Sequence, residues 1–353
     1  MLPDLKSKIK QLFAESKVDC ILLFNGPGAD PNFFYLTRME KSEFNHSILI
    51  VKKNSMTFLV PKMEYGLAKE QSKKSRTVVK AFGTSNEMED LIKKETMGRK
   101  VGLNLSKISV NSFKSLKKIF KGKKFIDVSM HLAKIRQTKT TKEIKMIKKA
   151  CKIATNVINE IPSIIYLGMR EKELAAEMEK KMKMYGADEI AFPTIVASGK
   201  NSANPHYNAG DRKIKEGDFI LVDFGCKVSN YCSDITQTFV VGKPSIKQKE
   251  MLLTCKSMNT EILKAIRPGI KYEKLQEKAN AICEEKYDKL LHMIGHSLGI
   301  EVHDPINDYK KLKLEEGMIL TVEPAIYVPG FGGVRIEYDV LVTKNGCRIL
   351  TNF

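Results

Sequence analysis

One stretch of this chain is written twice. Glu216-Gly217-Asp218-Phe219-Ile220-Leu221-Val222-Asp223 returns about 100 residues later as Glu316-Gly317-Met318-Ile319-Leu320-Thr321-Val322-Glu323. An upstream pair does the same: Gly168-Met169-Arg170-Glu171-Lys172-Glu173-Leu174 and Gly269-Ile270-Lys271-Tyr272-Glu273-Lys274-Leu275, each at the start of a helical pattern. The later blocks are a turn followed by an apolar strand that ends in a carboxylate. An acid closing a buried strand is costly unless it is paired or binds metal. Meeting it twice at matched positions implies two half-domains related by an approximate two-fold, with both acids facing one site.

Each strand leads to a partner carrying a second acid. The Asp223 strand runs through Phe224-Gly225 to Ser233-Asp234-Ile235-Thr236-Gln237-Thr238-Phe239-Val240-Val241, an antiparallel hairpin with one acid per arm. After Glu323-Pro324 comes the turn Pro329-Gly330-Phe331-Gly332-Gly333, then a return strand expected over Arg335-Ile336-Glu337-Tyr338-Asp339-Val340-Leu341-Val342. Four carboxylates in one cavity cannot all ionise without cations between them. Two divalent ions and one histidine satisfy that charge, and carboxylates can bridge both ions. The histidine is His296, in His292-Met293-Ile294-Gly295-His296-Ser297-Leu298-Gly299-Ile300-Glu301-Val302-His303-Asp304, where flanking glycines allow close backbone approach. Four of the six histidines, His206, His292, His296 and His303, fall in this duplicated region.

The remainder of the chain frames this site. Its 353 residues suit two domains. Residues 1–133 alternate short β-branched strands, such as Ser47-Ile48-Leu49-Ile50-Val51, with helical patterns, and read as an α/β domain without a phosphate loop or catalytic set. Thr140-Thr141-Lys142-Glu143 is a capping box opening a helix with the apolar stripe Ile144, Ile147, Cys151, Ala154, Ile158, so the second domain is placed over 134–353. Seven scattered cysteines with no Cys-x-x-Cys pair fit reduced thiols in a cytosol, and the close pair Cys226 and Cys232 reads as packing within paired strands. No apolar run is long enough to span a membrane, and the charged N-terminus from Met1 to Lys6 lacks a signal-peptide core. The net charge of +19 admits an anionic partner such as nucleic acid. The lysines, however, recur at helical spacing on faces opposite apolar stripes (Lys142, Lys145, Lys148, Lys149, Lys152), which favours a solvated surface.

Asp223, Asp234, then Gly-His-Ser-Leu-Gly-Ile-Glu-Val-His, Val-Glu-Pro and Arg-Ile-Glu together resemble the pita-bread metallopeptidases: Xaa-Pro dipeptidases (prolidases), aminopeptidase P and methionine aminopeptidase, with creatinase as a relative. The resemblance covers 140–350 closely and the first domain more loosely, as a creatinase/prolidase N-terminal domain. It implies an α+β catalytic domain with a curved antiparallel sheet. Asp223 would bind one metal, His296 and Glu323 the other, and Asp234 and Glu337 would bridge them, the pair activating a water as nucleophile. Glu323 would be general base and proton shuttle. His206, in Asn204-Pro205-His206, would contact substrate and help protonate the leaving nitrogen, and His303 would steady the carbonyl oxygen. Arg335 would orient the carboxylates, and His292 would line the pocket or pack. Oxygen-rich ligation suits Mn²⁺ or Co²⁺ and admits Zn²⁺. Relatives of this kind are commonly homodimers.

The N-terminal domain speaks against methionine aminopeptidase, and the intact ligand set against creatinase, leaving cleavage before proline in di- or oligopeptides. The compact length favours a dipeptidase. One departure keeps aminopeptidase P-like activity on longer peptides open. The arginine expected shortly after the second histidine is missing from His303-Asp304-Pro305-Ile306-Asn307-Asp308-Tyr309-Lys310-Lys311, where only Lys310 or Lys311 offers a point charge. Two rivals of other classes remain. Gly295-His296-Ser297-Leu298-Gly299 matches a serine-hydrolase elbow, which demands a preceding strand and a following helix. A metal-free pita-bread protein binding nucleic acid or protein would suit the basic charge, though not the retained acids and histidines.

Overall fold

The computed structural model describes residues 3–26, 29–40, 44–75 and 77–353, so Met1 and Leu2 of the charged N-terminus lie outside the described residues. It divides into two compact units, 1–136 and 137–353.

The first unit is built on α1 (Pro3–Ser16), β1 (Cys20–Asn25), α2 (Pro31–Thr37), β2 (Ser47–Val51), β3 (Met56–Pro61), α3 (Tyr65–Ser75), β4 (Val78–Phe82), α4 (Ser85–Glu95), β5 (Lys100–Leu103), α5 (Val110–Ile119), β6 (Lys124–Asp127) and α6 (Ser129–Gln137). The β-branched runs pair into a six-stranded mixed sheet in the order β4-β3-β2-β1-β5-β6. β1, β2 and β3 form an antiparallel meander, while β4, β5 and β6 join in parallel through helical crossovers. Five buried residues in a row along β2 show a strand covered on both faces.

The second unit opens with α7 (Thr141–Ile164), capped by the Thr140–Glu143 capping box. Ile147, Ala150, Cys151, Ala154, Val157, Ile158 and Ile161 form its buried face, while Lys142, Lys145, Lys149 and Lys152 are exposed, so the basic charge of this helix is solvated surface. There follow α8 (Glu171–Met184), β7 (Glu189–Ile190), β8 (Ile195–Ser198), β9 (Phe219–Phe224), β10 (Cys226–Val228), β11 (Tyr231–Cys232), β12 (Ile235–Val240), α9 (Ile246–Ala265), α10 (Tyr272–Glu284), β13 (Ile319–Val322), β14 (Ala325–Val328), β15 (Gly332–Arg335), β16 (Tyr338–Thr343) and β17 (Gly346–Ile349). Antiparallel β8-β9-β12 lies in the first half and antiparallel β13-β16-β17 in the second.

The duplication is visible bond by bond. Gly168 N donates to Ile214 O (2.9 Å) as Gly269 N donates to Leu314 O (2.7 Å), and Gly217 N to Val241 O (2.8 Å) as Gly317 N to Val342 O (2.9 Å). Gly217 and Gly317 both adopt left-handed backbone, φ +80° and +86°, which explains why the turn is glycine in both copies. Each half also has its own core. One lies between α7, α8 and β8–β12; the other lies between α9, α10 and β13–β16. This is the pita-bread arrangement, an α+β domain with an internal pseudo-two-fold.

One expectation is corrected. The return strand over 335–342 is two strands, because β15 pairs with β14 and ends at Arg335, whereas β16 pairs with β13 and starts at Tyr338. In the interruption, Glu337 N donates instead to Thr236 O of β12 (2.9 Å), which joins the two halves beside the acids.

Candidate metal centre

Asp223 occupies the penultimate position of β9, opposite Thr236 of β12, and Asp234 immediately precedes β12. Glu323 follows β13, and Glu337 sits in the break between β15 and β16. The duplicated strands thus deliver their four acids to one place. His296 arrives on a segment lying against β13: Thr321 N donates to His296 O (2.8 Å) and Glu323 N to Ile294 O (2.7 Å). That contact requires Gly295. Its φ is +152°, and a β-carbon there would lie 2.0 Å from Thr321 O.

Ligand atoms of Asp234, His296 and Glu337, all three residues buried, come within 4.8 Å of one another. His296 Nε2 is 3.4 Å from Asp234 Oδ2 and 3.5 Å from Glu323 Oε1. Asp223 and Glu323 stand outside the tightest group but line the same cleft of about 430 Å³. Burial pushes the carboxyls of Asp234 and Glu337 well above the usual range, and the neighbouring acids add to the effect. Asp223 is raised by burial too, opposed by Arg335. Its Oδ1 is buried and accepts no hydrogen bond. Four acids share one guanidinium, and a buried carboxylate oxygen points at no donor. The residues therefore fit a divalent-cation site, since cations between these oxygens supply the missing charge.

The surrounding hydrogen bonds aim the acids. Arg335 Nη2 donates to Asp223 Oδ2 (2.5 Å), Nη1 to the Tyr327 hydroxyl (2.5 Å) and Nε to Thr236 Oγ1 (3.2 Å). Thr236 in turn donates to Glu337 Oε2 at 2.6 Å. The Thr321 hydroxyl accepts from His296 N (2.9 Å) and donates to Glu323 Oε1 (3.2 Å). Asp339, fully buried behind the site, accepts from Asp234 N (3.0 Å), and burial pushes its carboxyl up to about 7. Sequence reasoning missed Thr236, Thr321, Tyr327 and Asp339. Only Asp339, an acid in an apolar strand, carried a signal that could have found it.

The other predicted residues fall as follows. His206 and His303 line the cleft, with the His303 ring centroid 4.0 Å from that of His296. Desolvation in the cleft and the adjacent His296 push the His303 imidazole below its ordinary range, against the opposing pull of Glu323. His292 lines the cleft, and its Nε2 lies 3.1 Å from the Tyr327 hydroxyl. Phe192, Pro193, Ile195 and Val302 supply apolar wall. Lys310 and Lys311 are not among the lining residues, and Lys311 is turned to Asp308 (3.5 Å). Ser297 is buried, receives Lys139 Nζ at 3.4 Å, and is followed by irregular chain instead of a helix, so the hydrolase elbow is absent. Cys226 and Cys232 are buried thiols on paired strands whose Sγ atoms donate to the carbonyls of Ala150 and Ile300. No helix among the described residues is long and apolar enough to cross a membrane.

Known proteins share this sequence pattern and fold. Residues 145–344 match metallopeptidase family M24, and residues 6–138 match the creatinase/prolidase N-terminal domain. The chain is 37% identical to an Xaa-Pro dipeptidase of Pyrococcus furiosus, over 98% of this chain and 96% of that one. It superposes on the prolidase from Pyrococcus horikoshii OT3 with a TM-score of 0.89, at 36% identity, covering 98% of this chain and 97% of that one. It also superposes on the X-Pro aminopeptidase from Thermotoga maritima MSB8 (TM-score 0.87, 31% identity, 99% and 97% covered). Duplicated acid-bearing strands, one buried histidine among them and these matches lead to one assignment: the chain belongs to metallopeptidase family M24.

Proposed function

We propose that this protein is an Xaa-Pro dipeptidase working with two divalent metal ions. The observation that carries the reading is the convergence of Asp234, His296 and Glu337, flanked by Asp223 and Glu323, in a cleft with an apolar wall. The Pyrococcus relatives named as Xaa-Pro dipeptidase and prolidase support the substrate class. Asp223, Asp234, His296, Glu323 and Glu337 would hold the ions, Asp223 serving one, His296 and Glu323 the other, and Asp234 and Glu337 contributing to both. Oxygen-rich ligation favours Mn²⁺ or Co²⁺, with Zn²⁺ as the alternative.

Ions bound there supply Lewis acidity toward the scissile carbonyl and lower the pKa of water. The protein's own groups do the rest. Glu323, steadied through Oε1 by Thr321, takes the proton of the attacking water and carries it toward the leaving nitrogen. His303, whose imidazole is pushed below its ordinary range at the rim of the cleft, donates an N–H to the carbonyl oxygen as negative charge develops. His206 contacts the substrate and helps protonate the leaving imide nitrogen. Phe192, Ile195 and Val302 cover the proline ring, which has no N–H to be satisfied. Arg335 holds Asp223 and, through Thr236, orients Glu337. His292 lines the pocket against Tyr327.

One observation favours the second reading, an Xaa-Pro aminopeptidase. Arg335 is the only guanidinium among the described lining residues, and Asp223 already holds it, so a free substrate carboxylate finds no uncommitted guanidinium there. Steady-state kinetics of the metal-loaded chain on Ala-Pro and on Ala-Pro-Yaa peptides decide between them. Higher kcat/KM on the dipeptide is expected; a clear preference for longer peptides makes the protein an aminopeptidase. A division of labour between 1–133 and 134–353 belongs to this proposal, supported by the division of the chain into compact units 1–136 and 137–353. So do a homodimeric state and a reducing cytoplasmic setting, the latter supported by seven unpaired cysteines.

A further inference from the structure

Glu171 is the first residue of α8, fully buried, and lies outside the metal centre. Its Oε1 accepts from Ser198 N (2.7 Å), Ser198 Oγ (2.6 Å) and Asn201 Nδ2 (3.0 Å). Its Oε2 accepts from Gly210 N at 3.3 Å. Ser198 ends β8 and Gly210 lies beyond His206, so one carboxylate grips both ends of the loop that bears the histidine. Within that loop Asn201 Nδ2 also donates to the Tyr207 hydroxyl (2.8 Å), and burial together with Glu171 raises the Tyr207 phenol. Lys172 N donates to Gly210 O (3.1 Å), adding a backbone bond at the same closure. Arg212 pairs with Asp218 at 2.6 and 2.8 Å, and its Nη1 also donates to Ser198 Oγ (2.5 Å), bracing the Ser198 end of the loop. Both carboxyl oxygens are thus engaged, three donors on Oε1 and one on Oε2, and a carboxyl so held has little freedom to turn.

The other half of the repeat makes the matching choice. Tyr272, first residue of α10, donates its hydroxyl to Gly295 O (2.5 Å), next to His296. The two residues are equivalent by backbone bonding: Glu171 N donates to Arg212 O (3.1 Å) and Tyr272 N to Leu312 O (2.9 Å). In both halves, then, the first residue of the helix reaches inward to a loop that presents a cleft histidine.

We propose that Glu171 is a positioning residue, which ties off the 198–210 loop and thereby sets His206 at the cleft. The inference rests on the reading of His206 as a substrate contact, and its test separates the two. In the metal-loaded full chain, Glu171→Gln is expected to lower kcat/KM on Ala-Pro by roughly 10²-fold, the loss an ångström of misplacement produces. Added to His206→Ala, it is expected to cost nothing more, since both changes remove one function. Losses that multiply would overturn the proposal. A second readout needs no activity: in ring-labelled histidine NMR of the metal-free chain, the His206 signal, identified by its absence in His206→Ala, moves in Glu171→Gln. A His206 signal that stays in place overturns the proposal. If His206→Ala proves fully active, the substrate-contact reading fails, and the NMR result still decides the role of Glu171. Should Glu171→Gln not fold, Glu171→Asp, which keeps the charge and shortens the reach, goes through the same comparisons.

Discussion

Replacing Arg335 by methionine removes the only guanidinium among the described residues lining the cleft while keeping most of the side-chain volume. In the native protein Arg335 is buried and donates to Asp223, Tyr327 and Thr236. The variant leaves the Asp223 carboxylate buried with one oxygen already lacking a donor and its cation gone. Breaking a buried pair from one side costs about 3–5 kcal/mol. In a unit of 217 residues (137–353) that lowers Tm by roughly 6–20 °C. The loss depends on pH in a defined direction. Burial already raises Asp223, and Arg335 opposes that rise, so the variant's carboxyl is raised further. A folded-state pKa above the unfolded value gives stability that is full at low pH and lost as pH rises through the folded pKa. The gap between native and variant protein therefore widens from pH 5 to pH 8. Saturating Mn²⁺ narrows it again, because a cation at Asp223 replaces the lost charge. Calorimetric unfolding at pH 5 and 8, with EDTA and with Mn²⁺, reads all of this. Equal Tm for native and variant protein in EDTA at pH 8 would refute the reasoning, as would a gap unaffected by metal.

Other consequences can be checked more briefly. The metal-free protein should lose stability as pH rises from about 4 toward neutrality, because Asp234 and Glu337 are raised in the fold, and added metal should flatten that slope in thermal melts. Gly295→Ala forces a β-carbon onto Thr321 O, so His296 must move; bound metal should fall below two per chain by elemental analysis, whereas a full complement would contradict the packing argument. Ser297→Ala should retain most of the peptidase activity, its hydroxyl being buried against Lys139, and abolition with both metals bound would revive a serine nucleophile.

Much of the second unit was legible in the chain because its constraints are local. A glycine needing positive φ, an apolar run and a terminal acid must recur together when a half-domain is duplicated, and Gly217 and Gly317 show that requirement directly. The capping box before α7 was readable for the same reason. The break at Ile336-Glu337 was not, since apolar alternation continues through it and only the tertiary bond from Glu337 N to Thr236 O interrupts the ladder. Thr236 and Thr321 read as ordinary strand threonines. Their roles as relays exist only once Glu337 and Arg335, about 100 residues away, are brought to Thr236, and once His296 is laid beside β13. Glu171 was visible only as part of a repeated helix start, and its grip on both ends of the His206 loop is a property of the folded chain.

The most direct test of the central claim pairs metal analysis with hydrolysis of Met-Pro and Ala-Pro by the full chain, after EDTA and after restoring Mn²⁺ or Co²⁺. The account predicts two ions per chain, activity abolished by the chelator and regained with metal, and loss of both properties when Asp234 or Glu337 is replaced by alanine. A protein that binds no divalent metal, or that cleaves these dipeptides equally well in EDTA, would contradict it.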